Sequence, residues 1–173
     1  MFIRKAELAD ASKLAEIHIL AWQAAYIGQM PKDFLAGLNI EKRTLDWQGW
    51  MSEPGLGTTI VVEDLGEPKG FCVFGPTRDK DLSIDNAGEI LVLNVHPIYW
   101  RYGYGKCLCD SVLNEAKNRN WNTLTLWMLK ENSRANSFYK SLGFERDGAE
   151  RIESITEGAT IEEIRYCKQW SNE

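Results

Sequence analysis

Residues 94–106 read Asn-Val-His-Pro-Ile-Tyr-Trp-Arg-Tyr-Gly-Tyr-Gly-Lys, and they join an apolar run, Glu89 to Val95, to an amphipathic one, Gly105 to Arg119. The first run is almost continuously apolar, the pattern of a strand buried on both faces, whereas Leu108, Val112 and Ala116 recur at helical spacing. A strand therefore enters the loop and a helix leaves it, with Gly103 and Gly105 at the helix start. The first N–H groups of a helix lack intrahelical partners and lie at the positive end of its dipole. A glycine-softened loop lets an anion approach them. Two glycines also serve a plain tight turn, and the loop alone supports both readings.

Working outward, Thr123 to Leu129 is a second buried strand, and the strand-helix-strand crossover makes the pair parallel. Asn132 to Leu142 reads as a short helix stopped at Gly143, followed by strands Phe144 to Arg151 and Ile161 to Lys168 joined by a glycine-containing loop. Toward the N-terminus, Phe2 to Lys5 forms a short strand, and Asp10 offers an N-cap to a helix carrying Leu14, Ile17, His18, Ala21, Trp22 and Ala25. Pro31 to Met51 is helical in two pieces with a break at Asn39, and Gly55 and Gly57 close that region. Thr58 to Glu63 and Gly70 to Phe74 read as an antiparallel hairpin, and Arg78 to Ala87 as polar loop. The fold class is therefore α/β (α+β), with a mixed central sheet of about seven strands flanked by about four helices.

The 173 residues, 44% hydrophobic and 26% charged, suit one globular domain spanning 1–173. A net charge of -5 without a Lys/Arg cluster argues against nucleic acid or an anionic membrane as partner. The N-terminus turns charged within four residues, and no apolar run approaches the roughly 18 residues of a membrane span, so a cytoplasmic location is expected. Cys72, Cys107, Cys109 and Cys167 lie within apolar patterns and read as structural thiols. No Cys/His/carboxylate grouping has ligand spacing, so no metal is expected.

Two phosphate motifs fail at the loop. A P-loop needs Ser or Thr after Gly-Lys, where Cys107 stands, and a dinucleotide fingerprint needs a third glycine where Leu108 stands. The second strand, however, leads into Asn132-Ser-Arg-Ala135-Asn-Ser-Phe138-Tyr139-Lys-Ser-Leu-Gly143-Phe144. Together the two segments resemble the GCN5-related N-acetyltransferase family: a strand ending Val-x-Pro, a loop Gln/Arg-x-x-Gly-x-Gly/Ala, then Asn-x-x-Ala-x-x-Phe-Tyr-x-x-x-Gly-Phe. The resemblance is specific from Gly88 to Phe144 and consistent in element order over nearly the whole chain. It departs at Trp100, which holds the place of the family's Gln or Arg, with Arg101 one residue late.

The resemblance implies a single-domain acyl-CoA N-acyltransferase fold with acetyl-CoA as cosubstrate, lying between the two buried strands. Its pantetheine arm would pair with main-chain groups of Leu93, Asn94 and Val95. Its pyrophosphate would rest on the loop Arg101, Tyr102, Gly103, Tyr104, Gly105 and Lys106, with Arg101 or Lys106 adding charge. Asn132 would touch CoA or simply cap its helix. Tyr139 matches the tyrosine that donates a proton to the departing thiolate. Glu89 is the candidate general base, its alternative being a solvated strand-end carboxylate; His96 is a weaker candidate and His18 a packed helix residue.

The acceptor pocket would be built by the first two helices, with Trp22, Tyr26 and Phe34 as walls or as plain core. The implied reaction is acetyl transfer to the amine of a small molecule or peptide in a ternary complex. The competing reading is a non-catalytic CoA-binding sensor or interaction domain. A homodimer, with the last strand and Trp170 at its contact, is consistent with dimeric members of the family.

Overall fold

The computed structural model describes residues 1–53, 55, 57–156 and 159–171. In chain order its elements are β1 (Phe2–Lys5), α1 (Ala11–Ala25), α2 (Lys32–Ala36), α3 (Ile40–Ser52), β2 (Thr58–Asp64), β3 (Glu67–Pro76), β4 (Ala87–Val95), α4 (Tyr104–Asn118), β5 (Thr123–Leu129), α5 (Ser133–Ser141), β6 (Glu145–Thr156) and β7 (Ala159–Gln169). The seven strands form one mixed sheet in the order β1-β2-β3-β4-β5-β7-β6. The β4–β5 pair is parallel and every other pair is antiparallel. Gly158, in the connection between the last two strands, lies outside the described residues.

Local sequence explains most of these boundaries. Asn39 accepts a 2.8 Å hydrogen bond from the Lys42 N–H and so separates α2 from α3. Leu65 and Gly66 both have positive φ, at 54° and 78°, the backbone of a tight hairpin turn between β2 and β3. Asp10 departs from the expected role, since its carboxylate makes no cap bond to α1. It accepts instead from the Glu7 N–H at 2.7 Å and from both terminal nitrogens of Arg4, which binds the first strand to the turn before α1.

Side-chain alternation gives the sheet two buried faces. Helix α4 lays Leu108, Cys109, Val112 and Ala116 against Ile90, Leu124, Leu126, Ile164 and Tyr166 on one face. On the other, α1 and α3 place Leu14, Ile17 and Trp47 against Val61 and Phe71. Cys109 is buried in this core and Cys107 is half-buried against it, and all four cysteines are free thiols.

The feature that positions the site is a split in the sheet. Parallel pairing of β4 with β5 runs from Ala87↔Thr123 to Ile90↔Leu126 and stops there. Opposite β4, Val73 pairs with Val92 and Phe74 with Ile90, so Leu91 is an extra, unpaired residue. A bulge of this kind bends the strand that carries it. From Leu91 onward β4 stays with β3 while β5 stays with β7, and a wedge opens between them.

Candidate active site

A cavity of 570 Å³ occupies the wedge and reaches both faces of the sheet. Trp22 and Tyr26 of α1 line it on one side, Phe138 and Tyr139 of α5 on the other, and the β4 segment from Ile90 to Val95 forms its spine. Its size suits a small-molecule ligand site. The side-chain amide nitrogen of Asn94 is buried in this wall without a hydrogen-bond partner among the described residues. Buried donors are rarely left unpaired, so this amide is a candidate contact for a ligand's acceptor atom.

One end of the cavity is the loop between β4 and α4. Arg101 and Gly103 both adopt left-handed backbone, with φ of 69° and 89°. At Gly103 there is open space for a side chain, so conformation rather than crowding calls for glycine. At Gly105 the reason differs, because an added Cβ would lie 3.3 Å from the Phe138 ring. The first intrahelical bond of α4 is Cys107 N–H to the Gly103 carbonyl, which leaves the N–H groups of residues 104–106 to other acceptors. Arg101, Gly103, Gly105 and Lys106 all line the cavity.

The two loop tyrosines do otherwise. Tyr102 is 70% exposed, and Tyr104 turns inward to donate a 2.7 Å hydrogen bond to Asp64, so neither side chain lines the cavity. What they can offer a ligand is confined to the main chain. Lys106 is drawn aside to Asp110 at 2.5 Å. Trp100 is fastened by its indole N–H to the Val95 carbonyl at 2.7 Å, and the Arg134 guanidinium lies over its ring.

Leu93, Asn94, Val95, Asn132 and Tyr139 all line the cavity. Asn132 caps α5, accepting from the Ala135 N–H at 3.0 Å, while also lining the cavity. Tyr139 is buried between Phe138 and Phe144, with ring centroids 5.0 and 5.7 Å away. Burial pushes its phenol well above the ordinary value, so the group keeps its proton at neutral pH.

Glu89 is buried at the start of its strand, not the solvated strand-end carboxylate of its alternative reading. Its carboxylate is 1% exposed and does not line the cavity. Arg78 holds both oxygens, with Nη2 at 2.6 Å from one and Nε at 3.0 Å from the other. Strand alternation explains this: Ile90 faces the α4 side, so Glu89 faces the opposite side below the split, beside the β3–β4 loop. His96 accepts a 3.4 Å bond from the Ile98 N–H and also stands outside the lining. His18 is packed against Trp22 and Trp47, as expected of a core residue.

Of the three aromatic candidates, Trp22 and Tyr26 line the cavity, while Phe34 stands behind Trp22 at 6.4 Å between ring centroids. Trp127, Arg134 and Glu163 are lining residues outside the candidates drawn from the sequence. Arg134 was hidden at a variable place of the Asn-x-x-Ala pattern. Glu163 carries no local signal, since only the β5–β7 register sets it opposite Leu129.

The whole architecture recurs in solved structures. The PaiA N-acetyltransferase of Thermoplasma acidophilum, solved in complex with coenzyme A, matches with a TM-score of 0.73 at 21% identity over 98% of both chains. YncA, a putative acetyltransferase from Salmonella typhimurium with its cofactor acetyl-CoA, matches with a TM-score of 0.69 at 20% identity, over 98% of this chain and 93% of its own. In sequence, the chain is 24% identical over 162 residues to YuaI of Bacillus subtilis strain 168, an uncharacterized N-acetyltransferase, covering 94% of this chain and 89% of the relative. The model of the acetyltransferase (GNAT) family matches residues 14–144, a run that holds the loop, both strands of the split and Tyr139, and the chain belongs to that family.

Proposed function

We propose that the protein is an acetyl-CoA-dependent N-acetyltransferase that acetylates the primary amine of a small molecule or peptide by direct attack in a ternary complex. The observation that carries this reading is Tyr139, a buried, protonated phenol facing a cavity that connects the two faces of the sheet at its split. The CoA and acetyl-CoA bound by the two related structures support the cosubstrate. So does the orphaned Asn94 amide in the wall.

In this reading the unpaired side of β4 from Leu93 to Val95 takes the pantetheine arm, and the Asn94 side chain finds its missing acceptor. The Val95 carbonyl is shared with Trp100, and its second lone pair remains for the ligand. The α4 N-terminus and Arg101 hold the pyrophosphate, joined by Arg134 from α5. Holding the thioester by main-chain groups fixes its carbonyl carbon for attack from the Trp22–Tyr26 side, and such placement supplies much of the rate.

The amine nitrogen forms a bond to the carbonyl carbon, and the carbon–sulfur bond breaks. The acceptor, an ammonium in solution, first gives one proton to solvent so that its nitrogen can attack; Tyr139 then gives its proton to the departing sulfur, and the second proton released by the nitrogen returns to the phenol through solvent. A thiol has a pKa of about 8.5, so the thiolate already leaves tolerably and the phenol accelerates rather than enables the step.

The test is thiol release measured with acetyl-CoA and a panel of amines, together with calorimetric titration of acetyl-CoA. Amine-dependent release of CoA is the expected result. Tight acetyl-CoA binding with no release on any amine would replace this reading by the CoA-sensor alternative.

A further inference from the structure

We propose that Glu163 holds the ammonium group of the acceptor, and that the acceptor is a primary monoamine on an apolar or aromatic body. This rests on the acetyltransferase reading above and gives its acceptor a chemical class.

The first ground is a charge inventory. Among the described residues that line the cavity, Glu163 is the sole carboxylate, while Arg101 and Lys106 stand at the loop end and Arg134 lies between it and Tyr26, close enough to lower that phenol's pKa. An ammonium is therefore repelled from the loop end and accepted at the other. The second ground is geometry. Arg151 places its Nε and Nη2 on one carboxylate oxygen of Glu163, each at 2.7 Å, and the other oxygen, Oε1, has no hydrogen-bond partner among the described residues. A carboxylate offers about four lone-pair sites, so the bridge to Arg151 leaves acceptor capacity for a second cation. The Glu163 side chain is only 13% exposed, which limits screening by solvent.

The third ground is the wall around that oxygen. Tyr26, whose phenol senses the Glu163 charge, stands there with Trp22 and with Leu129, the residue that Glu163 opposes in the β5–β7 register, while the Trp127 ring is already covered by the Arg151 guanidinium at 4.3 Å. Aromatic faces attract an ammonium and also accommodate an apolar body. Burial pushes the Tyr26 phenol up to about 12, and the Glu163 charge adds to the effect, so this hydroxyl does not supply a second negative charge. Polyamines and aminoglycosides bring several ammonium groups, and each one lacking a partner in such a chamber bears an uncompensated desolvation cost. One available carboxylate matches one ammonium.

The experiment is steady-state thiol release at saturating acetyl-CoA, comparing 2-phenylethylamine and tyramine with spermidine and kanamycin. The aromatic monoamines are expected to show kcat/KM at least tenfold higher. Glu163→Gln is expected to raise the monoamine KM at least tenfold, with kcat within about threefold and the acetyl-CoA Kd unchanged; Glu163→Asp is expected to recover part of the loss. Arg151→Gln removes the same ion pair from its other side and is expected to leave the monoamine KM unchanged or lower. Equal KM increases in Glu163→Gln and Arg151→Gln would reduce Glu163 to a brace between strands and overturn the proposal. Preference for spermidine or kanamycin would overturn the acceptor class while leaving acetyl transfer standing, whereas no turnover with any amine would overturn both.

Discussion

The Arg134 guanidinium lies 3.4 Å from the centre of the Trp100 ring, and the indole N–H of Trp100 is in turn bonded to the Val95 carbonyl at 2.7 Å. The end of β4, the loop and the first turn of α5 are thereby stacked into one unit beside the cavity. Arg134 has neither an ion pair nor a hydrogen bond among the described residues. Burial lowers its pKa, and the positive charge of Arg101 lowers it further. Two cations that disfavour each other in this way are stabilised by an anion placed between them. In this chain the residue at the loop's first position does not itself bring charge; it supports an arginine contributed by the next helix.

Arg134→Ala is accordingly expected to weaken acetyl-CoA binding about tenfold, in line with the loss of one charge-assisted hydrogen bond of roughly 1.5 kcal/mol. Calorimetric Kd values at two salt concentrations check this, because the ionic contribution shrinks as salt rises. Trp100→Leu should cost at least as much, since it removes the stack and the bond to Val95 together. An unchanged Kd in Arg134→Ala would remove Arg134 from the phosphate site.

Tyr139→Phe deletes one hydroxyl and keeps the ring that packs on Phe138 and Phe144. The expected outcome is a fall in kcat of about 10- to 100-fold with little change in the acetyl-CoA Kd, as befits a proton donor to a leaving group that is already fair. Parallel losses in kcat and affinity would reassign Tyr139 to packing or to cosubstrate binding.

The elements around the split were legible because their periodicities are strong. Glu89 to Val95 is continuously apolar and Leu108, Val112 and Ala116 lie on one stripe, so strand, helix and parallel crossover followed from local sequence. The loop and Tyr139 were legible for another reason, since spacing of glycine, asparagine and tyrosine is a one-dimensional signature. Period-2 alternation sets Glu89 and Ile90 on opposite faces but does not tell which face opens on a cavity, nor that Arg78, eleven residues away across the β3–β4 loop, pairs with the carboxylate. Arg134 over Trp100 and Glu163 beside Tyr26 join residues from different elements, and such pairings leave no trace in local pattern.

Two glycines give opposite expectations for stability. An added Cβ at Gly88 would lie 2.2 Å from two ring carbons of Trp121, an indole that is 4% exposed and has no room to retreat. Gly88→Val should therefore destabilise by about 3 kcal/mol, the upper end for overpacking, and lower Tm by about 6–12 °C. Gly49 sits inside α3 with nothing within 4 Å of an added Cβ. Gly49→Ala should stabilise by about 0.5–1 kcal/mol, because alanine restricts the unfolded chain and favours helix. Thermal melts of the two variants beside the parent chain check both signs.

His18 should make stability depend on pH. It is buried against Trp22, Trp47 and Phe71, and neither ring nitrogen has a hydrogen-bond partner among the described residues. Burial, with a smaller contribution from the Arg43 charge, drops its pKa from 6.5 to about 3. Between those values the unfolded chain binds a proton that the native state refuses. Stability is therefore fully present above pH 6.5 and is lost as pH falls, by about 1.4 kcal/mol per unit once well below that point. From pH 7 to pH 5 the loss from this residue should be about 2 kcal/mol. His96, also lowered by burial, adds a slope of the same sign, so the decisive quantity is a difference between proteins. Urea unfolding at pH 7 and pH 5 should show His18→Leu losing about 2 kcal/mol less than the parent chain over that interval. Equal losses in the two proteins would mean that another group carries the pH dependence.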